Sequence, residues 1–150
     1  MKTERGRLRI ADISRKKSSF RTSVAEGEIV LKPATVSAIR RGSVPKGDVL
    51  TVAKVSAVLA IKKTSELIPA CHMIAIEDTE IDFELRNNGV NIKCGIKAEA
   101  KTGVEMEALT GVCIGLLTIW DMVKELEKDE RGQYPTTILQ GVRVIRKVKT

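Results

Sequence analysis

The chain has 150 residues, 43% hydrophobic and 30% charged, with 26 Lys/Arg against 19 Asp/Glu and a net charge of +7. One soluble globular domain over residues 1–150, burying about two-thirds of its unfolded-chain surface, fits these figures. No uninterrupted apolar run reaches the ~20 residues of a membrane span, and no apolar signal segment follows the basic start, so a cytoplasmic protein is expected.

Three cysteines, Cys71, Cys94 and Cys113, are odd in number and lack CxxC spacing, which implies reduced thiols and no zinc site. With a single histidine, His72, a His/Cys metal cage has too few ligands. The charge is uneven. Lys2, Arg5, Arg7, Arg9, Arg15, Lys16, Lys17 and Arg21 crowd the start, and no acid follows Glu130. Such ends either meet an anionic partner (nucleic acid, membrane surface or polyphosphate) or are simply solvated.

In chain order, residues 1–22 read as an extended, partly mobile basic arm, and Glu28–Leu31 as a short strand ended by Pro33. Arg40–Gly47 is a loop by its Gly and Pro content. From Asp48, a candidate N-cap, to about Leu67 the pattern is helical, with Val49, Val52, Val55, Ser56, Leu59, Ala60 and Lys63 on one face. Pro69 breaks it. Two alternating runs follow: Ile81, Phe83, Leu85, and then Val90, Ile92, Cys94, Ile96, Ala98. Asn87-Asn88-Gly89 joins them as a hairpin turn, Asn-Gly being suited to positive φ.

The stretch Lys101–Asp129 is the most strongly patterned. Met106, Leu109, Val112, Cys113, Leu116, Leu117, Trp120, Val123 and Leu126 recur at helical spacing, so a long helix lies against the core. Residues 141–147 close the chain as a strand. The order strand, helix, strand, strand, helix, strand is the ferredoxin-like β-α-β-β-α-β plan, an α+β antiparallel sheet with two helices on one face. Only four aromatics exist and the 90–98 strand has none, so RNA reading by stacking on that strand is not expected.

Four clusters could carry chemistry. Lys46 stands just before a helix N-terminus, which favours anions, though a solvated loop lysine reads the same way. Cys71-His72 sits in the break after that helix, as a thiol–imidazole pair or with a structural histidine. Glu105-Met106-Glu107 opens the long helix with two carboxylates. Asp121 and Lys124, one turn apart, can pair and shift each other's proton affinity. Glu107 and Asp121 share a helix face within about 40° but lie about 21 Å apart, too far to grip one small substrate. Either they are unrelated, or a second copy of the helix brings one chain's Glu107 beside the other's Asp121.

As strings, KGDV at 46–49, LIPxCH at 67–72, KTGVEMEALT at 101–110 and LTIWDMVK at 117–124 closely resemble the cyclic pyranopterin monophosphate synthase family, the C protein of molybdenum-cofactor biosynthesis. IADIS at 10–14, Arg21 and Gly27-Glu28-Ile29 add to the likeness, which covers roughly residues 8–147. The resemblance implies a lyase that opens the imidazole ring of a cyclised dihydroguanosine triphosphate. It then rebuilds the skeleton as a pyranopterin and closes a cyclic phosphate, releasing pyrophosphate. It also implies a hexamer, a trimer of dimers, with active sites shared between subunits.

On the same resemblance, Asp121 matches the proton acceptor, and Lys124 and Lys46 the paired catalytic lysines. Ala70, Cys71, His72, Met106 and Glu107 match the substrate-holding segments, with Glu105 beside them. Arg21 and Lys147 match basic residues that approach the triphosphate. A buried lysine–carboxylate set suits repeated proton transfer at neutral pH, and ionised carboxylates at 105 and 107 could accept from guanine-derived N–H groups. No cofactor or resident metal is implied; Mg could accompany only the pyrophosphate.

The chain departs from the family at Ala70, where leucine is usual, and in the longer segment ERGQYPTTILQG, which loosens the register of Lys147. It also lacks a Gly/Ser/Lys-rich tail, so that tail's triphosphate contacts are absent or supplied by other basic residues. Two other readings stand: a non-catalytic nucleotide-binding regulatory module on the same scaffold, and weak nucleic-acid binding through the basic ends.

Overall fold

A computed structural model describes residues 6–150. The elements run β1 (Ser19–Val30), α1 (Pro33–Arg41), α2 (Val49–Lys62), α3 (Thr64–Leu67), β2 (Asp78–Arg86), β3 (Gly89–Ala100), α4 (Glu105–Glu127) and β4 (Ile138–Lys149). The four strands form one sheet in the order β2-β3-β1-β4, every pair antiparallel. This is the α+β, ferredoxin-like arrangement that the strand and helix order implied, with two further short helices.

The alternation in β3 does what its period requires. Val90, Ile92, Cys94, Ile96 and Ala98 are all fully buried beneath the helices. The opposite sheet face carries ion pairs, among them Arg143–Glu26 at 2.9 Å and Lys97–Asp78 at 3.8 Å. The three cysteines are free thiols. α4 is long and apolar enough to cross a membrane, yet here it is a core helix packed on the sheet and on α2.

Several expectations need correction. The basic arm does not extend to residue 22. Ser19–Thr22 already belong to β1, which pairs with β3 from Ser19 and with β4 from Arg21. That stretch looked unlike a strand because its inward positions, Arg21 and Ser23, are buried but polar. Lys2 and Arg5 of the arm lie outside the described residues.

Helix α1 is a further element, which begins at the Pro33 expected only to end a strand and takes in Arg40 and Arg41 of the expected Arg40–Gly47 loop. It begins with Pro33 at N1, has no side-chain cap of its own at Lys32, and ends at Gly42, whose left-handed φ of 67° closes the turn. Its N-terminal acceptor comes from another helix, so Pro33 at its start and Gly42 at its end are its only local signals.

In α2 the predicted N-cap is present, with Asp48 accepting from the Thr51 amide at 3.2 Å. The predicted inward face is largely wrong. Val49, Ala53, Ala57, Ala60 and Ile61 are buried, whereas Val52, Val55 and Leu59 are 40%, 55% and 51% exposed. α2 lies so close to α4 that a Cβ on Gly111 would come within 2.8 Å of Ile61. Glycine on α4 makes room there for Ile61, alanines fill most of the rest of the α2 side, and the bulky stripe faces outward.

The hairpin turn falls at Asn87-Asn88, but not for the expected reason. No non-glycine among the described residues has positive φ, and Gly89 does not either. A side chain on Gly89 would instead collide with the Ile29 carbonyl oxygen of the neighbouring strand. The long helix runs Glu105–Glu127 within its expected stretch, and Thr102 and Gly103 before it line a cleft.

Candidate active site

The loop between α1 and α2 is tied down at both ends. The Ser43 amide donates to Ala38 O at 3.0 Å and the Gly47 amide to Val44 O at 3.1 Å. It sends Lys46 across to α4, where Nζ donates to the Asp121 carbonyl at 3.0 Å and to its Oδ2 at 3.3 Å. Lys124 Nζ lies 3.2 Å from Asp121 Oδ1. Hydrogen bonds from Lys124 first and Lys46 second hold the Asp121 carboxyl below its ordinary value. The expected burial of this set is not found in the single chain: the Asp121 side chain is 60% exposed and those of Lys46 and Lys124 are 40% and 36%. Asp121 and Lys124 open onto a depression of about 390 Å³ shared with Leu117 and Trp120.

The other end of α4 borders a second cleft of about 370 Å³. Ala70, Cys71 and His72 form one wall, Thr102, Gly103, Glu105 and Met106 another, and Ala11, Ile13 and Lys16 a third. The N-terminal segment is held there by His72 Nε2, 2.7 Å from the Ala11 carbonyl oxygen, and by Lys101 Nζ, which donates to Ser14 O at 3.3 Å.

The Glu105 and Glu107 carboxyls are shifted in opposite directions although two residues apart. Burial opposes ionisation of Glu105, but the hydrogen bond and charge of Lys147, whose Nζ lies 2.6 Å away, keep its carboxyl below the usual value. Glu107 is only 3% exposed and its Oε2 has no hydrogen-bond partner; burial, then the charge of Glu105, push its carboxyl up. Burial and the two carboxylates likewise raise the Cys71 thiol, which stays a neutral donor.

Arg21 is buried, with Nη2 donating to Lys101 O at 3.4 Å and Nε unpartnered. Ser23, paired in register with Lys147, also buries an unpartnered hydroxyl. Buried polar groups are normally satisfied. With Ser19 Oγ and Glu107 Oε2 these make four orphans at the starts of β1 and α4, polar atoms whose bonding a ligand or water would complete.

The model of the MoaC family matches residues 10–150. The chain belongs to the MoaC family. Among curated relatives it is 52% identical to a protein of Archaeoglobus fulgidus, over 97% of this chain and 94% of the relative. It is 49% identical to one of Saccharolobus solfataricus (94% and 95% covered) and 52% identical to one of Methanoregula boonei (96% and 93%). All three carry the name "Probable cyclic pyranopterin monophosphate synthase".

For this member of the MoaC family, then, the eleven candidate residues fall into two groups. Lys46, Asp121 and Lys124 meet at one end of α4. Ala70, Cys71, His72, Glu105 and Met106 line the cleft at the other, with Glu107 buried behind and Arg21 and Lys147 alongside. No single chain unites them. Sequence reasoning missed Ser23, Lys16, Lys101 and the pairing of Trp120 with Tyr134, edge to face at 5.1 Å. Only Ser23 left a trace, as a polar residue at an inward strand position.

Proposed function

We infer that this chain is a cyclic pyranopterin monophosphate synthase, a lyase of molybdenum-cofactor biosynthesis. It converts a cyclised dihydroguanosine triphosphate to cyclic pyranopterin monophosphate and releases pyrophosphate. The reaction class comes from family membership. The observation that carries the site is the Lys46–Asp121–Lys124 cluster, built from positions 75 residues apart. A carboxylate gripped by two ammonium groups can accept a proton while a neighbour donates one, which ring opening and closure require.

Asp121 serves as proton acceptor, with Lys46 and Lys124 as its partners in transfer. Ala70, Cys71, His72, Met106, Glu105 and Glu107 hold the nucleotide-derived part, the Cys71 thiol donating and the ionised Glu105 accepting. Arg21 and Lys147 face the triphosphate, where positive charge eases departure of pyrophosphate. Because the halves lie at opposite ends of α4, a second copy completes each site. The exposed apolar stripe of Val52, Val55 and Leu59, with Leu117 on α4 at 54% exposure, supports such pairing. A hexamer built as a trimer of dimers, acting in the cytoplasm, is the assembly we propose.

The test is to incubate purified protein with the cyclised triphosphate and assay pyrophosphate and pterin. Lys46→Ala and Asp121→Asn should each lower turnover by at least about 10²-fold with the fold intact by circular dichroism. Near-normal turnover by either variant would refute the assignment.

A further inference from the structure

Glu127, the last residue of α4, is 0% exposed, yet no ammonium or guanidinium group contacts its carboxylate among the described residues. A buried carboxylate needs a full set of donors. Oε2 accepts from the Lys32 amide at 3.1 Å and from the Thr35 hydroxyl, and Oε1 accepts from the Thr137 hydroxyl at 2.7 Å. Lys32 is the N-cap of α1, which has no side-chain cap of its own, so Glu127 caps that helix from outside and lies at the positive end of its dipole.

The consequence lies at the other end of α1. From Gly42 the chain enters the pinned loop that carries Lys46, and Lys46 returns to α4 at Asp121. Residues 32–46 thus form a strut fastened to α4 twice, at Glu127 and at Asp121, about 9 Å apart along the helix. With the Glu127 end released, α1 can pivot and the Lys46 ammonium loses its placement.

We propose that Glu127 is a positioning residue for the reaction: by anchoring α1 to the end of α4, it sets the contact between Lys46 and Asp121. The kinetic part rests on the function proposed above. The geometric part does not.

The test compares Glu127→Ala, Glu127→Gln and a core variant away from the strut, Ile96→Ala, matched for loss of melting temperature. The amide of Gln has the same length. Its oxygen can accept from Lys32 and Thr35 while its NH2 donates to a rotated Thr137 hydroxyl, so it should restore function. Below the melting transition, Glu127→Ala should lower kcat on the order of 100-fold with little change in KM. By carbon NMR, Asp121 should then titrate closer to its ordinary value, since Lys46 no longer sits on it. Glu127→Gln should keep most of the wild-type rate, and Ile96→Ala should change neither kcat nor the Asp121 titration.

An unchanged kcat in Glu127→Ala, a loss no greater than that of Ile96→Ala, or an unmoved Asp121 titration overturns the proposal. If Glu127→Ala does not fold, Thr35→Val, which removes one donor, gives the same reading at smaller amplitude, and an unmoved Asp121 there overturns it. A wild-type protein that makes no pterin sinks the functional reading instead, while the Asp121 titration still decides the role of Glu127.

Discussion

Glu105 and Glu107 show how burial and partners, more than residue type, decide protonation. Glu105 has Lys147 and stays ionised; Glu107 has an orphan oxygen and a raised carboxyl. A raised native value means the folded state binds the proton more tightly than the unfolded chain. Stability is therefore greatest below the ordinary carboxylate range and falls as pH rises through it toward the raised value. Glu107→Gln removes that dependence. We expect it to be more stable than wild type at pH 7 by roughly 1 kcal/mol, with the difference vanishing near pH 4. Melting curves across that range check it, and a wild type that gains on the variant as pH rises contradicts it. The same variant should bind the nucleotide-derived substrate less well, losing a contact where the ligand completes the bonding.

At the scale of elements, close approach governs the fold. The α2–α4 seam sets small residues opposite its few large ones, with Gly111 against Ile61 and Gly115 against Ala57, and Ser56 and Thr118 join across it at 2.6 Å. Gly89 plays the corresponding part between strands, lying against the Ile29 carbonyl where β3 begins beside the end of β1. Relief there requires backbone to move. Gly89→Ala should thus cost about 1–3 kcal/mol, read from the urea midpoint at constant slope. An unshifted midpoint would mean that the hairpin, not the crowding, accounts for the glycine.

For the whole molecule, the separation of the two clefts along one unbroken helix makes a strong prediction. If each site takes its Asp121 end from one chain and its Glu107 end from another, two inactive variants should complement. Mixing and reassembling Asp121→Asn with Glu107→Ala yields mixed pairs in which one site carries both lesions and the other neither. Activity should recover to roughly a quarter of wild type for random two-fold pairing. No recovery, with mixed assembly shown by native mass spectrometry, would place each complete site within one chain.

Sequence by itself determined what local periodicity and local chemistry can specify. The hairpin pair, the buried face of β3, the Asp48 cap and the existence of α4 all follow from side-chain period or a near-neighbour hydrogen bond. So does the β-α-β-β-α-β element order, which implies the ferredoxin-like plan. The family strings then named the residues at both ends of α4. Tertiary structure alone decided what caps the start of α1, because the acceptor is Glu127, more than ninety positions away. It alone turned the bulky face of α2 outward, because that choice depends on the glycines opposite. The burial that raises the Glu107 carboxyl and the meeting of Lys46 with Asp121 belong to the same class: each depends on neighbours brought together from distant parts of the chain, which no window of adjacent residues contains.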